Sequence, residues 1–296
     1  MPLSINRSNL DLTLASSWWA AFHLCNAMEK AVLKWRALFA AVVTTVAVVI
    51  GSNAVHAASL KEEIAPTGKL RVAIALSSAG GAFWCSKVES GYAGVPVDLG
   101  KAMADQLGVP VEFVEYQNSG QITDAASQGG WDVTFMPKDP EREAKLSFGP
   151  VYQVADATYM VRAGSTITNF ASLDQDGTEI AAIDNTVTMR AAKAHLKKAH
   201  VTAFQTLDEI VLLMKAGELD GFALPRDQLN AIVKQIPGAK VLSEGFRKNM
   251  TAVAVPLKHP QSLAFVTKFM TEVQPNGLLR KVYDNNGMKD APILTQ

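Results

Sequence analysis

Two cysteines in 296 residues, Cys25 and Cys85, are too few for a disulfide framework or for a four-cysteine zinc site. Neither sign of charge dominates either: 28 basic residues balance 28 acidic ones, so the chain has no broad electrostatic pull on a nucleic-acid backbone or an anionic membrane. Also missing are a P-loop, a G-x-G-x-x-G turn, an H-E-x-x-H helix and a G-x-S-x-G elbow, which removes the usual markers of nucleotide, zinc-peptidase and serine-hydrolase chemistry. His195 and His200 stand five apart, splayed around a helix, and His259 is remote from both, so no metal and no cofactor is expected. The apolar run at 37–50 falls short of the roughly 20 residues a membrane-crossing helix needs. What remains is globular composition, 48% apolar and 19% charged, held together by packing.

That short apolar run reads instead as the h-region of an export signal. Lys30, Lys34 and Arg36 precede it, and Val55 and Ala57 supply the small residues read before a cut after Ala57. Met28 offers a conventional start, which makes 1–27 an upstream extension and 28–57 the signal peptide. Cys25 lies ahead of the apolar run without a lipoprotein pattern, so release into the periplasm without a membrane anchor is expected. The exported chain keeps one cysteine, Cys85, and therefore no internal disulfide.

Beyond the leader, hydrophobic patterning alternates between strand and helix lengths. Residues 70–76 form an apolar run closed by a Gly-rich loop, the length of a buried strand. Leu99, Met103 and Leu107 then recur at helical spacing ahead of Gly108. Strands follow at 109–116 and 131–136 around a short helix at 122–128. A second series places strands at 157–161, 179–183 and 221–224 and helices at 188–199 and 206–216, before a returning strand at 250–256 and a helix at 260–273. The pattern is α/β, with mainly parallel sheets flanked by helices.

The order of short motifs resembles the periplasmic solute-binding proteins of ABC importers, family 3. The resemblance is carried by Gly68-Lys69-Leu70-Arg71-Val72, Gly94-Val95-Pro96-Val97-Asp98-Leu99, Trp131-Asp132-Val133, Pro140-Glu141-Arg142 ahead of Leu146-Ser147-Phe148-Gly149-Pro150-Val151-Tyr152, and Lys215-Ala216-Gly217-Glu218-Leu219-Asp220-Gly221. It implies a two-lobed type II binding-protein fold: lobe 1 from 58–155 and 251–296, lobe 2 from 156–250, with hinge strands near 152–157 and 248–254. It further implies a monomer that captures a small carboxylate-bearing solute and hands it to an inner-membrane ABC permease.

The same resemblance assigns site residues. Arg142 matches the arginine that grips the ligand's carboxylate with its planar fork; its own neighbourhood also allows a helix-start arginine paired with Glu141 or Glu143. Asn185 and Thr186 match the lobe-two turn that offers amides and a hydroxyl to that carboxylate, and Thr186 equally suits an ordinary N-cap. Phe83 and Trp84 match an aromatic wall. The family's ammonium acceptor falls on Pro225, so either Asp227, Asp139 or Asp184 takes that part, or the ligand lacks an α-amino group. An enzyme on this scaffold, similar to cyclohexadienyl dehydratase, is the main rival and would need an acid or base in the cleft, for which Asp139, Glu141 and Asp98 are available. A soluble sensor is a third possibility.

Overall fold

The computed structural model describes residues 60–77, 82 and 84–294. The expected signal peptide, the segment before it and Phe83 lie outside the described residues. Eleven strands are described: β1 (Leu70–Ala75), β2 (Ser86–Val88), β3 (Gly91–Ala93), β4 (Val111–Tyr116), β5 (Val133–Pro137), β6 (Leu146–Val161), β7 (Glu179–Ile183), β8 (His200–Phe204), β9 (Gly221–Pro225), β10 (Lys240–Val241) and β11 (Arg247–Pro256). Beyond the helical residues 60–64, the α-helices are α1 (Val95–Leu107), α2 (Ser119–Ala125), α3 (Pro140–Glu143), α4 (Phe170–Leu173), α5 (Val187–His195), α6 (Leu207–Ala216), α7 (Arg226–Ile232), α8 (Pro260–Val273) and α9 (Leu278–Asn285).

Short apolar strands build the sheet in the order β4-β1-β5-β11-β6-β9-β7-β8, with β10 on β6. β1 runs parallel to β4 and β5, and β7 runs parallel to β8 and β9. The two parallel groups are joined through β6 and β11, which lie antiparallel to one another and to their outer neighbours. Their mutual register slips around Ala252, where a bulge interrupts the ladder. The two-lobed fold thus has its crossing strands where sequence placed the hinges, although β6 is 16 residues long and the sequence pattern exposed only its last five.

Each lobe fills its own interior. One large cluster gathers Leu70, Val72, Leu99, Met103, Val253, Phe269 and Tyr283, drawn from chain segments before Gln153 and after Ala252. Others gather Met160, Ile183, Ile210, Phe222 and Leu229, or Tyr159, Ile180, Ala182 and Leu242, all from the intervening stretch. α1 shows the local logic: Pro96 sits in its first turn, where a missing N–H costs nothing, and Gly108 ends it in the left-handed region at φ 65°. Cys85 is fully buried, and burial raises its thiol to about 12, so it is an inert core residue.

A cleft with one buried arginine

Arg142 reaches its place through a one-turn helix. β5 ends at Pro137, Asp139 caps α3 by accepting the Arg142 backbone N–H (3.0 Å), and Pro140 starts the helix. The guanidinium is then held from three sides: Nη1 donates to the Pro137 carbonyl (2.8 Å), and Nη2 to Ser119 Oγ (2.8 Å) and, less closely, to the Asn185 carbonyl (3.3 Å). Only 1% of the residue is exposed, and Nε is buried with no partner. Glu141 and Glu143 do not satisfy it; they pair with Arg190 and Lys138. Burial, and secondarily Arg190, lowers the Arg142 pKa to about 10, opposed by Asp139, Glu141 and Asp124, so the group stays cationic at neutral pH.

Opposite stands the start of α5. β7 ends in the Asp184-Asn185 turn, where Asn185 adopts φ 51°, a left-handed conformation its short polar side chain tolerates. Thr186 caps α5: Oγ1 accepts the Met189 N–H (3.1 Å) and donates to the Ile183 carbonyl (2.7 Å). The amides of Val187 and Thr188, in the first turn, have no partner within the helix, and both residues line the cleft with Thr186. A positive helix end and a buried guanidinium therefore border one space.

That space holds about 850 Å³ free of protein atoms, part of it open to solvent. Trp84 lines it and donates from Nε1 to Gln228 Oε1 on α7 (2.7 Å), so this loop residue spans the two lobes. Seven further polar lining residues, Ser119, Tyr152, Gln153, Thr188, Gln228, Asn249 and Thr251, had no sequence signal as site residues, because they are brought together from elements far apart in the chain.

Several expected site residues stand elsewhere. Asp139 is occupied: besides capping α3, its Oδ2 receives Arg190 Nε (2.9 Å) and Nη2 (2.5 Å) from α5. Asn185 contributes its carbonyl to Arg142, while its side chain receives Arg190 Nη1 (3.1 Å) and donates to Asp124 Oδ2 (3.0 Å), and it does not line the cleft. Asp184 is tied to the Asn185 N–H (2.8 Å) and Gln205 Nε2 (3.0 Å). Asp227 borders a separate hollow beside Asn286 and Met288, with Gln153 Nε2 on its Oδ2 (3.0 Å). Asp139 and Asp184 are thus drawn off by nearer partners, whereas Asp227 keeps Oδ1 buried without a partner in its separate hollow. Asn118 Nδ2 on the Gln205 carbonyl (2.8 Å) and Ser77 Oγ on Asp208 Oδ1 (2.9 Å) add contacts between the segment before Gln153 and the intervening stretch.

Burial raises the Asp227 pKa, opposed by the backbone amides at the start of α7 and by Gln153. A raised carboxyl contributes stability that is complete below the ordinary carboxylate range and is lost as pH rises through its folded-state value. Asp227→Asn removes that loss. Thermal melts at pH 7 are expected to show the variant above the parent, with the gap closing as pH falls below the ordinary carboxylate range. A variant that melts lower at pH 7 contradicts this.

The sequence model of the bacterial extracellular solute-binding proteins, family 3, matches residues 72–288. No curated protein sequence matches the chain. Among solved structures, the ancestral amino acid-binding protein AncCDT-1, described as a precursor of cyclohexadienyl dehydratase, is 27% identical with a TM-score of 0.68 over 77% of this chain and 98% of that one. An ancestral arginine-binding protein bound to glutamine is likewise 27% identical, with a TM-score of 0.67 over 75% and 98%. The fold alone is shared with the amino acid ABC transporter substrate-binding protein AbpA from Streptococcus pneumoniae, bound to L-arginine: 20% identity, TM-score 0.68, 78% and 99% covered.

Proposed function

Because the chain belongs to the bacterial extracellular solute-binding proteins, family 3, we propose that it is the periplasmic receptor of an ABC importer, closing on a small carboxylate-bearing solute. The observation that carries this reading is Arg142 Nε, a buried donor on a cationic group with no partner, on a residue lining the cleft that the first turn of α5 also lines. A carboxylate placed there would accept from both lobes, so its binding energy favours the closed population. Segments 58–155 and 251–296 would then move as one lobe and 156–250 as the other, flexing where β6 and β11 cross. Export through the leader and transfer to an inner-membrane permease complete the reading, with the receptor acting as a monomer.

The rival reading, an enzyme on the same scaffold, needs a proton donor or acceptor beside the ligand. Among the described residues lining the cleft there is no Asp, Glu, His or Lys, which supports binding over acid–base chemistry. The test is a thermal-shift screen of the exported chain against small organic acids, followed by calorimetry on each hit and on its primary amide. The amide is expected to bind at least about 100-fold more weakly, since it loses charge-assisted bonds. An amide that binds as well as its acid refutes the carboxylate reading.

A further inference from the structure

The receptor reading leaves open what the rest of the solute looks like, and the cleft's charge inventory bears on that. Arg142 is the one charged side chain among the described residues that line it. The carboxylates nearest the guanidinium are already engaged, Asp139 and Glu141 by Arg190 and Asp124 by Lys145 and Asn185. The remaining wall is largely apolar, with Ile74, Ile122, Phe135, Ile183, Val187 and Leu224 among its members.

Among the neutral polar side chains of that wall, two carry a buried atom with no partner. Asn249, 1% exposed on β11, donates from Nδ2 to Thr188 Oγ1 (2.8 Å) and leaves Oδ1 buried with no partner. Tyr152, fully buried on β6, leaves its hydroxyl without a partner too. Both residues line the cleft and both lie on the crossing strands. Buried polar atoms without partners are uncommon in folded proteins, and two of them belong to residues that line the same space as an unpartnered arginine nitrogen, Tyr152 with its phenol near Tyr283 and Cys85, and Asn249 beside Thr188 of the cleft wall. A zwitterion would match the arginine and then bury an ammonium against dipoles alone, losing its hydration without gaining a counter-charge. A hydroxyl has one donor and spare acceptor capacity, which suits an amide oxygen and a phenol.

We propose that the cleft is built for a monocarboxylic acid with an apolar body and an uncharged hydroxyl that donates to Asn249 Oδ1, and that it discriminates against the α-amino acid of the same skeleton. This rests on the carboxylate reading of Arg142 and narrows it. The burial that raises the Tyr152 pKa keeps its phenol neutral and able to donate.

The test is calorimetry on the exported chain with matched pairs: L-leucine against (S)-2-hydroxy-4-methylpentanoate, L-phenylalanine against (S)-3-phenyllactate, and norleucine against 2-hydroxyhexanoate. The hydroxy acid of at least one pair is expected to bind, with its amino partner at least about 100-fold weaker. In Asn249→Asp, which supplies the missing counter-charge, the amino partner is expected to gain at least about 10-fold while the hydroxy acid weakens. An amino acid that binds the parent protein as tightly as its hydroxy partner overturns the inference, and if that binding is lost in Arg142→Met, the carboxylate reading survives alone. Binding of neither series overturns the inference; if the wider acid screen is also silent, the receptor reading falls with it.

Discussion

Arg142→Met is expected to weaken binding of any carboxylate ligand by about 100-fold or more while the protein still folds. The residue provides the only positive side chain among the described cleft residues, and its Nε has no other acceptor. A hydrogen bond between charged groups contributes about 1.5–3 kcal/mol, so losing the one from Nε together with the positive charge behind it reaches about 3 kcal/mol, or about two decades in Kd. Methionine fills much of the volume with an apolar chain, which limits the cavity. It cannot replace the bonds to Pro137, Ser119 and Asn185, so a lower Tm is expected alongside the loss of affinity. Arg142→Lys separates charge from shape: an ammonium keeps the charge without the fork and is expected to retain part of the affinity. Calorimetry on folded variants, checked by circular dichroism, reads both effects. Binding by the methionine variant within threefold of the parent would remove Arg142 from the site.

Gly120→Ala should weaken binding by a different route, without touching any ligand-facing side chain. Gly120 lies in the first turn of α2, against the Asp184-Asn185 turn of the other lobe. A Cβ there would stand 2.6 Å from Asn185 Cβ and 2.9 Å from the Asp184 carbonyl oxygen, distances that backbone must move to relieve. Alanine is the better helix former by about 1 kcal/mol, so the lobe carrying α2 gains or holds its stability while the closed arrangement is obstructed. A closed population held off by about 2 kcal/mol lowers apparent affinity roughly 30-fold, because ligand binding must supply the difference. Small-angle scattering should show the variant more extended than the parent under the same conditions. Unchanged affinity together with an unchanged radius of gyration would mean that the lobes meet elsewhere when ligand binds.

Local patterning carried the fold a long way. Residues 179–183 and 260–273 emerge at the bounds expected from hydrophobic periodicity, and Gly108 ends α1 as its position implies. β6 was legible only at its apolar end: its first eleven residues mix Gln, Asp, Gly and Pro and are extended because β11 pairs along them, a contact about a hundred residues distant. The β2–β3 hairpin is three residues a side and too short to show a period. At the site, the reading of Arg142 depended on resemblance, since nothing in Pro140-Glu141-Arg142-Glu143 distinguishes a buried guanidinium from a solvated one. Asp139 is engaged elsewhere for a related reason. Arg190, 51 positions from Asp139, captures its carboxylate across the cleft, and Asn249 and Tyr152 acquire their meaning from strands crossing under the cleft.

A crystal structure of the exported chain with a bound acid from the screen tests the central claim most directly. The account predicts one carboxylate oxygen within about 3.2 Å of Arg142 Nε and the carboxylate facing the Val187 and Thr188 amides, with contacts to both lobes. A carboxylate that points to solvent, or a ligand seated in the outer hollow beside Asp227 with Arg142 Nε still unpartnered, would contradict it.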